Sequence, residues 1–361
     1  MAVPVRFKPR VKPVRESTRT AAGGPRLADL TTLRLGGAAG ELVVAGRAQE
    51  AVDAVRGVDS SVFILAGGSN VVVGDAGVPG RVVLLRNGGY AVRRDGDRAL
   101  VSVQAGEVWD DVVAATVADG LAGLECMSGI PGSAGATPIQ NVGAYGQEVR
   151  ETIVAVHVYD RLRDERVSVA PADCGFAYRT SVFKYNDRFV VLSVDFSLAV
   201  SPLSAPVRYA ELARTLGVGA GERVPLADAR SAVLKLRAGK GMVLDADDHD
   251  TWSTGSFFTN PVLDAAGYDA LRARAGDPPG WPGPDGTVKV SAAWLIEHAG
   301  FGKGYGRDGV SISTKHTLAL TNRGSGTTDA LLALAREIRD GVYGRLGVVL
   351  HPEVVLVGCS L

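Results

Sequence analysis

Between residues 30 and 85 the apolar positions come in short β-branched runs broken by glycine: ELVVAG, then SVFILAGGSNVVVGDAG, then GRVVLL. Runs of this length closed by turn residues predict short strands, with one helix over Ala48–Val55. A further strand, ALVSVQAG from Ala99, leads into EVWDDVVAATVADG, where Val108, Val112 and Ala115 recur at helical spacing and predict a helix. Strands resume at IVAVHVYD and ERVSVA, and again in RFVVLSVDFSLAV, which alternates apolar and polar positions. Beyond SPLSAP the period lengthens to that of helices, over 227–237, over 293–298 and over Thr328–Leu346, where Leu331, Ala335, Ile338 and Val342 make one stripe. GVVLHPEVVLVG closes the chain as strand material, and no internal repeat suggests a solenoid or propeller.

A chain of 361 residues exceeds what one hydrophobic core usually holds, so two or three packed units are expected, with room for a large site. Lys+Arg and Asp+Glu stand at 39 each, so no net field favours nucleic acid as a partner. No uninterrupted apolar run reaches the roughly 18 residues of a membrane span, and no apolar stretch of secretory type opens the chain. A cytoplasmic protein that does not insert into membranes is expected. Residues 1–26 hold seven basic residues against Glu16 alone, with Pro4, Pro9, Pro13 and Pro25, and are expected to form a disordered basic tail. Cys126, Cys174 and Cys359 are an odd number without CxxC spacing, which argues against a disulfide framework and a thiolate metal site and for buried thiols. His157, His249, His298, His316 and His351 never fall at i, i+4, and no metal is expected.

The chain has no GxGxxG opening a helix and no GxxxxGK[ST], which disfavours a Rossmann dehydrogenase or a P-loop enzyme. Leu65-Ala66-Gly67-Gly68-Ser69-Asn70 instead ends the VFIL strand in a glycine turn whose amides and side chains can accept a diphosphate. Alone it makes an equally good hairpin turn. Further on, SGIPGSAGATPIQNVGAYG runs for nineteen residues without a charge. Small residues let backbone approach a ligand closely, and Ile130, Ile139, Val142 and Tyr145 are more than a solvated linker needs.

Together these two loops resemble the FAD-binding domain shared by the vanillyl-alcohol-oxidase-like flavoproteins and the UDP-N-acetylenolpyruvoylglucosamine reductases. Three further segments select the reductase family: FAYRTSVFK with Tyr178 and Arg179, TGSFFTNP with Ser256 and Asn260, and HPEVVLVG with Glu353. PVRYAEL with Tyr209, RAGK with Arg237 and Lys240, and the text of 292–304 match as well, so the resemblance covers about residues 27–361. Tyr209 marks the form of the family that folds a tyrosine-bearing loop over the substrate.

The resemblance implies an α+β fold: a two-lobed FAD-binding domain of vanillyl-alcohol-oxidase type and a C-terminal α+β substrate-binding domain. The lobes would span 27–88 and 89–203, with 350–361 returning to the second, and the substrate domain 204–349. It implies non-covalent FAD held by Leu65, Ala66, Gly67, Gly68, Ser69 and Asn70 on one loop, and by Ile130, Pro131, Gly132, Gly135, Ala136, Thr137, Gln140, Asn141 and Ala144 on the other. It implies NADPH as hydride donor in a ping-pong cycle that reduces UDP-N-acetylglucosamine enolpyruvate to UDP-N-acetylmuramate for peptidoglycan. Arg179 and Glu353 would stabilise the charge that develops on the substrate carboxylate, and Ser256 would deliver a proton to carbon. Tyr145, Tyr178, Tyr209, Arg237, Lys240 and Asn260 would bind the nucleotide sugar. A monomer is expected. Thr259 stands where the family often has lysine, His351 where an acid is common, and the stretch from Lys240 to Ser256 is somewhat long, departures that bear on substrate-phosphate contacts and loop shape.

Two alternatives remain open from the sequence. One is an FAD-dependent alcohol or sugar oxidase of the same fold, although neither glycine loop carries the His or Cys by which such enzymes commonly tether flavin. The other is a non-catalytic nucleotide-sugar-binding protein, against which the intact Arg179, Ser256 and Glu353 set argues.

Overall fold

In the computed structural model the described residues are 24–58 and 62–361, so most of the expected basic tail, residues 1–23, lies outside them. Arg26, assigned to that tail, pairs with Ala38 across an antiparallel bridge. The chain forms two compact units, one of Ala39–Gly68 and Pro79–Gly239, the other of Arg26–Ala38, Ser69–Val78 and Lys240–Leu361. These units cut across the boundaries expected at 88, 203 and 349. Residues 204–239 fall in the first because Val207, Leu212, Ala229 and Val233 bury themselves with Cys126. Residues 350–361 fall in the second, where Val355–Val357 pairs in parallel with Val71–Val73.

The first unit is centred on an antiparallel sheet in the order Glu165–Val169, Ile153–Asp160, Phe189–Val200, Arg98–Gln104, Tyr90–Asp95. Its central strand obeys the period-two reading: Val194, Phe196 and Leu198 are fully buried, while Ser193, Asp195 and Ser197 are half-buried. The helix Trp109–Ala118 forms as expected but turns a different face inward. Trp109, Val112, Val113 and Thr116 are its buried residues, whereas Val108 is the N-cap and 52% exposed. The large indole decides this, since its ring lies 5.7 Å from that of Phe196. The nineteen-residue glycine segment is not an open loop: it contains a 3-10 turn, Ala134–Ala136, and half of a hairpin, Gly143–Ala144 against Gln147–Glu148.

Asp160, at the end of one central strand, accepts both Nε and Nη2 of Arg188, at 2.9 and 2.5 Å. That fork holds the carboxyl down to about 2. The unfolded chain would titrate near 3.9, so the pair's contribution is fully present above about pH 4 and is lost as pH falls towards 2. Asp160→Asn is therefore expected to flatten the fall of the thermal midpoint across that window, measured by scanning calorimetry of both proteins.

In the second unit the long helix occupies Thr328–Leu346 as expected, and Leu331, Ala335, Ile338 and Val342 are each buried. Burying side chains of the larger kinds is worth about 1.5–3 kcal/mol each. Asp75 accepts the first free amides of the helix, those of Thr328 and Asp329, at 2.9 Å, and Gly347 at φ 73 ends it. Against it stands a sheet in the order Ser253–Ser256, Ala319–Asn322, Val310–Ile312, Gly306–Arg307. Two helices have no counterpart in the sequence reading. Ala265–Ala275 buries only Leu271, and Ala210–Leu216 is too short to show a period. Cys126 and Cys174 are buried thiols, but Cys359, expected to be one, is half-buried. Among the described residues no helix is long and apolar enough to cross a membrane.

Candidate active site

The two glycine loops meet in the first unit. A Cβ placed on Gly67 would lie 2.5 Å from Gly132 Cα and 3.2 Å from Ser133 N, so the two backbones approach as only a glycine at position 67 allows. Gly68 adopts φ 62, the left-handed region, and turns the chain out of the strand Val62–Leu65. Arg86 braces the turn by donating to Ala66 O at 2.9 Å. Gly135 packs its bare Cα against Ala105 and donates to Ala105 O at 2.9 Å, while the Thr137 hydroxyl is used within the segment, donating to Ala134 O at 2.7 Å. Ile130 packs on the core of the unit, and Pro131, Ala136, Gln140 and Ala144 are half-buried along the same segment. Ser69 and Asn70 belong to the second unit, where Asn70 O accepts the Val355 amide.

Beside the Gly67–Gly132 contact sits Ser133, 4% exposed, whose hydroxyl has no hydrogen-bond partner among the described residues. A buried hydroxyl costs free energy until something accepts or donates to it. A diphosphate brought up to bare glycine backbone supplies that acceptor, so these loops fit the FAD they were expected to hold. The sequence reading passed over Ser133 although it lies between Gly132 and Gly135.

Arg179 stands on the same unit, at φ 56, and its guanidinium donates to Gly143 O at 3.0 Å and Asn141 O at 3.4 Å. Asn141, fully buried, returns the tie through Nδ2 to Ala177 O at 3.2 Å. The arginine is thus registered on the backbone of the glycine segment, with Tyr178 beside it, 38% exposed and 5.4 Å from its guanidinium carbon. Three expected substrate ligands also gather here. The Tyr145 and Tyr209 rings meet edge to face at 5.4 Å, and Arg237 is 8% exposed. Burial disfavours the charge of Arg237 against the opposing pull of Tyr145 and Asp110. Burial likewise pushes the Tyr145 phenol up to about 12.

Ser256 and Glu353 lie on neighbouring segments of the second unit. Ser256 ends its strand after a bulge: Ser253 faces Thr321 and Ser256 faces Ala319, so three steps oppose two, and Gly255 takes up the difference at φ 73. The chain then runs antiparallel to 351–353, with Glu353 N donating to Phe257 O at 2.8 Å and Thr259 N to His351 O at 3.0 Å. The two departures from the family pattern are therefore each other's partners, and the contact uses the backbone carbonyl of His351. Asn260 spends its Oδ1 on the Ala292 amide, 2.9 Å away, at the start of the helix Ala292–His298. Lys240 is half-buried at the first residue of this unit's longest segment.

Similarity to known proteins extends over residues of both units. The family model described as UDP-N-acetylenolpyruvoylglucosamine reductase, C-terminal domain, matches residues 247–357, and that described as FAD binding domain matches residues 42–165. UDP-N-acetylenolpyruvoylglucosamine reductase of Salinispora arenicola is 64% identical over 345 residues, 93% of this chain and 95% of that protein. The protein of the same name from Streptomyces coelicolor is 55% identical over 347 residues, 93% of this chain and 90% of its own length. Among solved structures, UDP-N-acetylenolpyruvylglucosamine reductase (MurB) from Thermus caldophilus superposes with a TM-score of 0.64 at 25% identity, covering 92% of this chain and 97% of that one.

Proposed function

The chain belongs to the UDP-N-acetylenolpyruvoylglucosamine reductase family, flavoproteins of peptidoglycan precursor synthesis, and from that premise we propose that Arg179, Ser256 and Glu353 perform its reduction step. The reaction adds hydride and a proton across the double bond of an enolpyruvyl ether. FAD, charged by NADPH, supplies the hydride when bound. Negative charge then develops on the adjacent carbon and spreads into its carboxylate, which must be met by donors already in place. Arg179 offers a planar, permanently charged fork for that carboxylate, and its ties to Asn141 O and Gly143 O fix where the fork stands. Glu353, in its protonated form, donates to the other carboxylate oxygen. Ser256 delivers the proton to carbon.

The observation that supports this reading is that Ser256 and Glu353 lie on neighbouring antiparallel segments, with Glu353 N donating to Phe257 O at 2.8 Å. Backbone bonds of this kind hold the two segments in register through the reaction. The match of residues 247–357 to the reductase C-terminal domain sets the oxidase alternative aside. The same reading carries a cytoplasmic monomer.

Substrate binding is assigned to Tyr145, Tyr178, Tyr209, Arg237, Lys240 and Asn260, and two of these give the test. Tyr209→Phe removes a hydroxyl 44% of whose residue is exposed, and Lys240→Ala a cation. Each is expected to raise the KM for the nucleotide sugar about tenfold while kcat changes by less than about threefold, as loss of equal ground-state and transition-state binding does. An unchanged KM in both would sink the assignment.

A further inference from the structure

Glu125 is fully buried, and its carboxylate fastens two separate segments of the first unit. Oε1 accepts from the Gln147 side-chain amide at 2.9 Å and from the Ala205 N–H at 2.6 Å, while Oε2 accepts from the Gly123 N–H at 2.6 Å. Gln147 closes the loop, since its Oε1 accepts from the Cys126 N–H at 2.9 Å. A buried carboxylate is costly unless its lone pairs are met, and here three neutral donors meet them.

Both tied segments lead to the aromatic pair. Gln147 lies just beyond Tyr145, and Ala205 opens the stretch that ends at Tyr209. Between Ala205 and Tyr209 the chain is fastened once more, where Val207 is buried with Cys126, Leu212 and Val224 and donates its N–H to Glu222 O at 2.8 Å. The two tyrosines then meet edge to face, 5.4 Å between centroids.

We propose that Glu125 is a positioning residue for nucleotide-sugar binding: its carboxylate locks the segment 205–209 to the Tyr145 turn, so that Tyr145 and Tyr209 are presented in one fixed register. This rests on the reading that Tyr209 touches the substrate. An acceptor-only group is required. Glutamine has the same shape, but it turns an NH2 toward at least one of the three N–H donors.

The test is hydrogen exchange and steady-state kinetics on the flavin-loaded full chain, with Glu125→Gln set beside Tyr209→Phe. In Glu125→Gln, exchange over 205–210 is expected to accelerate about tenfold or more while the strand Phe189–Val200 keeps its protection, and the KM for the enolpyruvyl sugar rises about tenfold with kcat within about twofold. Unchanged exchange over 205–210 overturns the proposal, because no tie existed. Equal acceleration in loop and strand also overturns it, because the acid is then merely structural. Local acceleration with unchanged KM overturns it as well, and the second variant tells why. If Tyr209→Phe leaves KM unchanged too, the Tyr209 reading has failed; if it raises KM, only the role of Glu125 has. Should Glu125→Gln not fold, Gln147→Met, which removes the amide on the other side of the tie, is read against the same outcomes.

Discussion

Ser256→Ala is expected to bleach the flavin with NADPH at close to the normal rate and then to be slow in returning the electrons to the enolpyruvyl sugar. Reduction of the cofactor needs no proton at the substrate carbon, so the hydroxyl is idle in that half of the cycle. In the other half a positioned general acid is typically worth on the order of 10²–10⁴-fold, and a methyl group in its place loses an amount in that range. The bulge at Thr254–Gly255 makes local rescue difficult, because it directs the end of the strand and leaves the next hydroxyls, Thr254 and Ser253, on buried positions. Ser256→Cys is expected to recover part of the rate, since a thiol of similar size can still deliver a proton. Stopped-flow absorbance of each half-reaction decides it: equal slowing of both halves, or of neither, makes the serine structural.

Gly67→Ala is expected to give folded protein that has lost most of its flavin. The added methyl would sit 2.5 Å from Gly132 Cα, a separation that real side chains do not show, and the neighbouring atoms are backbone rather than a flexible side chain. The two loops must therefore part, and the close backbone approach expected to receive the diphosphate is lost. Gly68→Leu strains the next position, which adopts φ 62, and is expected to behave alike. Flavin absorbance per mole of protein, beside far-ultraviolet circular dichroism, is the measurement; full occupancy in Gly67→Ala would remove this contact from the cofactor site.

Most elements were legible because their burial is periodic. The helix Thr328–Leu346 buries one stripe along its whole length, and the strand Phe189–Val200 alternates, so each announces itself in the chain. The helix Ala265–Ala275 does not, because with a single buried residue its pattern is that of a polar loop. On Trp109–Ala118 the helix was visible but its inner face only in part, since the indole of Trp109 is buried with Val112 while Val108 and Ala115 are left towards the outside. Family resemblance supplied the names of the site residues, while their grouping required the fold. Nothing local says that Gly67 touches Gly132, that Tyr145 meets Tyr209, or that Glu353 bonds to Phe257, for these are contacts between distant segments. Ser133 and Glu125 were missed for a related reason: a hydroxyl among glycines and an acid beside a cysteine look ordinary until their burial is known.

The most direct test of the central claim is the visible spectrum of the purified protein under anaerobic conditions, followed through two additions. Flavin bands are expected at the outset, bleaching on one equivalent of NADPH and returning in full when UDP-N-acetylglucosamine enolpyruvate is added, with UDP-N-acetylmuramate formed in equal amount. Bands that stay bleached until oxygen is admitted, or a protein without flavin that folds normally, would contradict the account.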